Sequence, residues 1–157
     1  MSNLFDLTGR TALVTGASRG LGRRFAAALA RAGADVIITS RQLASLEEPR
    51  KEIEALGRKV STSGGDITIE ADVDAMVKKA TSELGKVDIL VNNAGVTTQE
   101  RFADMPIKRW NLIINVNLTG TAICAHAVLP QMIVFFTLGV VRNVIEIDKM
   151  LSVRCVR

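Results

Sequence analysis

Four short apolar, β-branched runs, each about one βα unit from the next, constrain this chain more than any other feature. They are residues 11–15 (TALVT), 35–39 (DVIIT), 59–63 (KVSTS) and 87–91 (VDILV). The first, second and fourth read as strands buried on both faces, and the more polar third as an edge strand. Helical patterns lie between them. Leu21, Phe25, Ala28 and Ala32 recur at i, i+4, i+7 and i+11 in the first, as one apolar stripe. Val73, Met76, Val77, Ala80 and Leu84 do the same in the third. Strands alternating with helices imply right-handed crossovers and a parallel sheet. The expected architecture is a Rossmann-type α/β doubly wound sheet in the order 3-2-1-4, incomplete, with room for a fifth strand.

The punctuation agrees with that register. Gly33, Gly57 and Gly85 each follow the last apolar residue of a helix, where a left-handed position favours glycine. Thr68 is placed to cap the third helix, with Glu70 and Asp72 in its first turn. Pro49 falls inside the second helix, residues 43–56, and should kink or restart it. Beyond residue 91 come a glycine-containing turn and a loop through Pro106. A long helix is then expected over about residues 108–129, with Trp110, Ile113, Ile114, Leu118 and Ile123 among its apolar positions. An apolar run follows at residues 132–141.

Length and charge narrow the functional classes. The 157 residues make one domain, and 48% hydrophobic against 23% charged residues supports a packed core. A net charge of +4, without any run of five basic residues, argues against a nucleic-acid partner. Cys124 and Cys155 cannot build a disulfide framework, and residues 1–10 lack the pattern of a signal peptide. A cytoplasmic setting is the natural expectation. The apolar run at 132–141 is too short to span a bilayer, and its extension back to residue 122 includes His126, Pro130 and Gln131. No membrane partner is expected.

The first strand runs straight into TGASRGLG, with glycines at 16, 20 and 22. Gly16 permits a tight exit from the strand. Gly20 and Gly22 let backbone approach a pyrophosphate and let helix pack on strand, so the free N–H groups of the helix start face the phosphates. TGASRGLG, Asp66, NNAG at 92–95 and NVNLTG at 115–120, in that order, resemble the short-chain dehydrogenase/reductase family. The opening LFDLTGRTALVTGASRGLG is most similar to its gluconate 5-dehydrogenase-type members. The resemblance covers residues 4 to about 132, which makes 1–132 an NAD(P)-binding domain. It implies that Gly16, Ser18, Arg19, Gly20, Leu21 and Gly22 form the diphosphate loop. It further implies that Asp66 and Ile67 contact the adenine ring, that Asn93, Ala94 and Gly95 line the cofactor, and that Asn117 is the catalytic asparagine of a proton relay.

The residues at the end of the second strand bear on which nicotinamide cofactor fits. An NAD site places a carboxylate there for the ribose hydroxyls. This chain has Ser40 and Arg41 instead, and Arg19 in the glycine loop could supply a second cation. A charge-assisted bond to a 2′-phosphate contributes about 1.5–3 kcal/mol, roughly a ten- to hundredfold preference for NADP over NAD.

The family pattern then stops. The resemblance would place a serine and a Y-x-x-x-K pair after the long helix, with the tyrosine as general acid or base. This chain has no tyrosine. Its tail lysine, Lys149, is preceded four residues earlier by Ile145; Ser152 follows the lysine; Thr137 has no base beside it; and His126 reads as a helix-surface or core residue. Residues 1–132 hold 18 alanines and 133–157 none. The tail therefore reads as divergent, the chain as a cofactor-binding portion inactive alone, and the strand-four side as prone to self-association. A non-catalytic nucleotide-binding module and a non-functional truncated product are the alternatives.

Overall fold

In the computed structural model, residues 5–137 are described. Four parallel strands form one sheet in the order β3-β2-β1-β4. They are β1 (Thr11–Val14), β2 (Asp35–Ser40), β3 (Val60–Gly64) and β4 (Ile89–Val91). Helices α1 (Gly20–Arg31), α2 (Glu47–Ala55) and α3 (Glu70–Leu84) make the crossovers. Leu13 is in register with Ile37 and Leu90, and Val14 with Ile38 and Val91. The sheet order and the polar edge strand are those the sequence pattern implies.

Strand alternation sends side chains into two cores. Val14, Val36 and Ile38 pack with Ala26, Ala30 and Ile53 beneath α1 and α2. Leu13 and Ile37 pack on the other face with Ile67, Val73, Val77, Ala80, Cys124 and Val128. Asp88 ties β1 to the segment entering β4 at the amino edge. It accepts from Arg10 (3.1 Å), Lys86 (2.7 Å) and the Thr11 N–H (2.9 Å). Burial alone would raise its pKa, but these bonds outweigh it and hold the carboxyl below the usual carboxylate range.

Three local expectations are corrected. The stripe of α1 faces the other way: Leu21, Phe25 and Ala28 are exposed, while Gly22, Ala26, Ala27 and Ala30 are buried. Gly22 sets the helix phase, because a Cβ there would meet the Gly16 carbonyl oxygen at 2.4 Å. The small-residue face is the one that can lie that close to the sheet. Thr68 does not cap α3; the helix starts after Ile69, and Thr68 turns back to Asp66. Pro49 restarts its helix as expected, since a 3₁₀ turn at Leu43–Leu46 precedes α2 and the proline falls in the first helical turn, where its missing N–H has no partner to lose.

The third correction concerns the long helix. It starts at Ile107 and continues through Pro130 to Thr137, eight residues beyond the expected end. It comprises α4 (Ile107–Ile114), a π-helical segment (Asn115–Gly120) and α5 (Thr121–Thr137). Residues 133–137 are thus helical, not the start of a fifth strand; residues 138–157, with Lys149 and Ser152, lie outside the described residues. The stretch Ile107–Ile133 is long and apolar enough to cross a membrane. It nevertheless supplies Cys124 and Val128 to the core beneath α3, as a sheet crossover would. Burial pushes the Cys124 thiol up to about 11.

Candidate functional site

The turn after β1 is held open for a ligand by what it lacks. Gly16 has φ +65°, and a Cβ there would lie 2.8 Å from the Ala94 Cα. Gly20 also has positive φ, yet faces open space. Arg19 is the N-cap residue of α1 with extended backbone; no side chain caps the helix and no acid occupies its first turn. The first N–H groups of a twelve-residue helix therefore lack a side-chain partner, and the positive end of the dipole lacks a counter-charge.

Opposite this turn, the segment after β4 is fastened by hydrogen bonds. The Thr15 hydroxyl accepts from the N–H groups of Asn93 and Ala94, both at 3.0 Å. Asn93 Nδ2 donates to the carbonyls of Thr15 (2.9 Å) and Gly16 (3.1 Å). Asn93 thus stitches the two loops at the carboxyl edge of neighbouring strands. Thr15, buried and central to this network, is not among the expected site residues, although it both ends the first strand and opens TGASRGLG. A polar residue closing an apolar strand before a glycine turn is the signal that could have found it.

Asn117 lies in the π-helical segment. Its Oδ1 accepts from the Val96 N–H at 2.8 Å, and its Nδ2 donates to the Val96 carbonyl at 2.9 Å. Both ends of the amide are bound to one backbone unit, so in this structure Asn117 positions the loop after β4. The Thr121 hydroxyl donates to the Asn117 carbonyl at 2.8 Å.

The third wall comes from β2 and β3. Asp66 Oδ1 accepts from the Thr68 N–H (2.9 Å) and hydroxyl (2.8 Å), while the Asp66 N–H donates to Asp72 Oδ2 at 2.8 Å. The Thr68 backbone bond is the largest influence on the Asp66 carboxyl, with a smaller one from Arg41, and together they hold it below the usual carboxylate range despite partial burial. The Ser40 hydroxyl is engaged with the Gln42 backbone and the Ser45 hydroxyl. Arg19 and Arg41 make no ion pair among the described residues.

These walls enclose one cavity of about 890 Å³. It is lined by Gly16, Ser18, Arg19, Gly20, Leu21, Gly22, Ser40, Arg41, Asp66, Ile67, Asn93, Ala94 and Gly95. All the residues assigned to cofactor binding therefore meet in one place, at the carboxyl ends of the strands where an open α/β sheet binds ligands. Asn117 stands behind this lining, bonded to Val96, which is part of it.

Comparison with known proteins agrees with this geometry. The family described as short chain dehydrogenase matches residues 10–145, which continues past residue 132 into the segment read as divergent. Gluconate 5-dehydrogenase of Gluconobacter oxydans is 37% identical over 131 residues, covering 83% of this chain and 51% of that protein. A crystal structure of a putative short-chain alcohol dehydrogenase from Sinorhizobium meliloti superposes with a TM-score of 0.77 at 42% identity, over 80% of this chain and 50% of that one. A short chain dehydrogenase from Mycobacterium paratuberculosis, crystallised bound to NAD, gives 0.76 at 29% identity, over 82% and 52%. The chain spans about half the length of each of these relatives. With the strand order, the glycine turn and the Asn93 stitch all in place, the chain belongs to the short-chain dehydrogenase family.

Proposed function

We propose that this chain forms the NADP-binding portion of an oxidoreductase that moves hydride between a nicotinamide cofactor and a CH–OH or C=O group. The observation that carries the reading is the single cavity joining the uncapped start of α1 to the Asp66–Ile67 wall and the Asn93–Gly95 segment. The α1 N–H groups with Gly16, Gly20 and Gly22 would hold the diphosphate, Asp66 and Ile67 the base, and Asn93, Ala94 and Gly95 the side of the nicotinamide ribose. When bound, the cofactor supplies the hydride acceptor or donor. Arg41 and Arg19, both free of ion pairs among the described residues, support NADP over NAD. Ser40 supports it less, since its hydroxyl already has backbone and side-chain partners.

The 157-residue chain alone is proposed to lack turnover. Transfer of hydride from an alcohol also requires a base for the hydroxyl proton, and the tyrosine its family pattern calls for is absent from the sequence. Loss of a general acid or base costs about a hundred- to ten-thousandfold in rate. Asn117 does not replace it, because both amide ends are committed to Val96. A soluble, cytoplasmic, self-associating chain without nucleic-acid or membrane partners completes the proposal. Its support is the small net charge, the seating of Cys124 and Val128 in the core, and the apolar outer face of the long helix, where Leu118, Leu129 and Ile133 are exposed.

The test is a titration of NADPH and NADH against the chain, with a panel of ketones, sugars and secondary alcohols for turnover. Binding of NADPH tighter than NADH without turnover supports the proposal. Binding without any contribution to activity when a complementary catalytic chain is supplied would favour a non-catalytic nucleotide-binding module.

A further inference from the structure

The base end of the cavity depends on a glycine that does not line it. Gly120 closes the π-helical segment and is buried within an otherwise continuous helix. Glycine is among the poorest helix formers, so a buried one in such a place calls for a steric reason. Here the reason is Ile67. A Cβ on Gly120 would lie 2.8 Å from Ile67 Cδ1, 2.9 Å from Cγ1 and 3.3 Å from its carbonyl oxygen. Ile67 is 7% exposed and packed with Leu13, Ile37 and Val73, which leaves the cavity it lines as the open space on its other side.

The neighbouring groups say what that space receives. Asp66 Oδ1 is used by Thr68, leaving Oδ2 as an acceptor on a residue that lines the same cavity as Ile67. A flat apolar wall next to a carboxylate acceptor suits an aromatic base bearing an exocyclic amino group. The Asp66–Ile67 turn is fixed at one end by Asp72, which accepts from the Asp66 N–H. Gly120 makes room for it at the other.

We propose that Gly120 is a positioning residue for the nucleotide base: by lacking a Cβ, it lets Ile67 stay withdrawn from the cavity so that the amino-bearing ring fits between Ile67 and its opposite wall. The same π-helical segment carries Asn117, three residues earlier, which holds Val96, another residue of the cavity lining. The inference rests on the reading of the cavity as a nucleotide site.

A double-mutant cycle separates this role from simple helix support. ADP and nicotinamide mononucleotide are titrated by calorimetry against the wild-type chain, Gly120→Ala, Ile67→Ala and the double variant, with a thermal melt of each. Gly120→Ala is expected to weaken ADP about tenfold and to leave the mononucleotide, which lacks the base, within twofold. In the Ile67→Ala background, adding Gly120→Ala is expected to change ADP affinity by less than twofold, because the clashing atoms are gone. If Gly120→Ala alone fails to fold, a folded double variant that binds ADP like Ile67→Ala gives the same support. The proposal is overturned by equal weakening in both backgrounds, by equal weakening of both ligands, by unchanged ADP affinity in Gly120→Ala, or by a double variant that does not fold. Failure of the wild-type chain to bind ADP overturns the nucleotide reading itself and this inference with it.

Discussion

The carboxyl edge of the sheet and the outer face of the long helix are built on opposite terms. At the edge, the polar side chains that join the loops find their partners inside the chain. Thr15 meets Asn93 and Ala94, Asn93 meets Gly16, and Asn117 meets Val96. Along the helix, apolar side chains face outward: Leu118 and Leu129 are 64% and 42% exposed. β4 adds to the contrast, for among the described residues no strand lies beside its other edge. Loops joined by internal hydrogen bonds can hold their shape within these residues, whereas an exposed apolar face marks an interface. The chain spans about half its relatives' length.

The largest effect should come from closing the turn itself. Gly22→Ala places a methyl 2.4 Å from both Asn93 Nδ2 and the Gly16 carbonyl oxygen. The stitch between the two loops must open, at a cost of about 1–3 kcal/mol from overpacking. NADPH binding is expected to fall more than a hundredfold and Tm to drop; titration and a melt check both. Retained binding would break the link between the stitch and the site.

Arg41→Asp should act on the cavity without touching the stitch. NADPH is expected to weaken ten- to hundredfold, about 1.4–2.8 kcal/mol, while NADH holds or improves. Parallel titrations decide it, and an unchanged ratio would remove Arg41 from the selectivity account.

The amino edge offers the matching control. Asp88→Asn leaves Arg10 and Lys86 without their shared carboxylate and should cost about 1–2 kcal/mol of stability, read by urea unfolding. Cofactor affinity should not move, because Asp88 lies across the sheet from the cavity. The pH dependence follows from the lowered folded pKa. The Asp88 bonds contribute fully above its unfolded value of about 3.9 and are lost as pH falls through the folded one. Wild type should therefore lose stability on acidification below about pH 4, and Asp88→Asn should show a shallower slope there.

The smallest effect on the fold should come from the helix face. Leu118→Glu with Leu129→Glu is expected to change unfolding free energy by no more than about 0.5 kcal/mol, as surface changes do. The same pair should shift the chain toward monomer in light scattering. An unaltered mass would dissociate the exposed face from self-association.

Much of the edge was legible in the sequence, and little of the helix. Glycines at 16, 20 and 22 after a β-branched run carry backbone requirements that few other residues meet, so the turn and its neighbours could be placed by residue number. Asn93 could be located, though its partner Thr15 could not, because a hydroxyl at a strand end looks the same whether or not it bridges loops. The phase of α1 was misread for a related reason. Alanine, leucine and phenylalanine all count as apolar in a periodicity, but only the alanine face could approach the sheet as closely as Gly22 requires. The π-helical segment leaves no periodic signal, and so the clamp of Asn117 on Val96 and the contact of Gly120 with Ile67 emerged only from the coordinates. The expected end of the long helix at about residue 129 falls just before Pro130, yet at an exposed position the helix carries that proline.

Calorimetric titration of NADPH into the folded 157-residue protein asks whether the proposed cofactor site is complete within it. Saturable binding at one site per chain, tighter than NADH and weakened more than a hundredfold by Gly22→Ala, is expected. A chain that melts cooperatively yet shows no heat of binding with either cofactor, at concentrations up to the millimolar range, would contradict it.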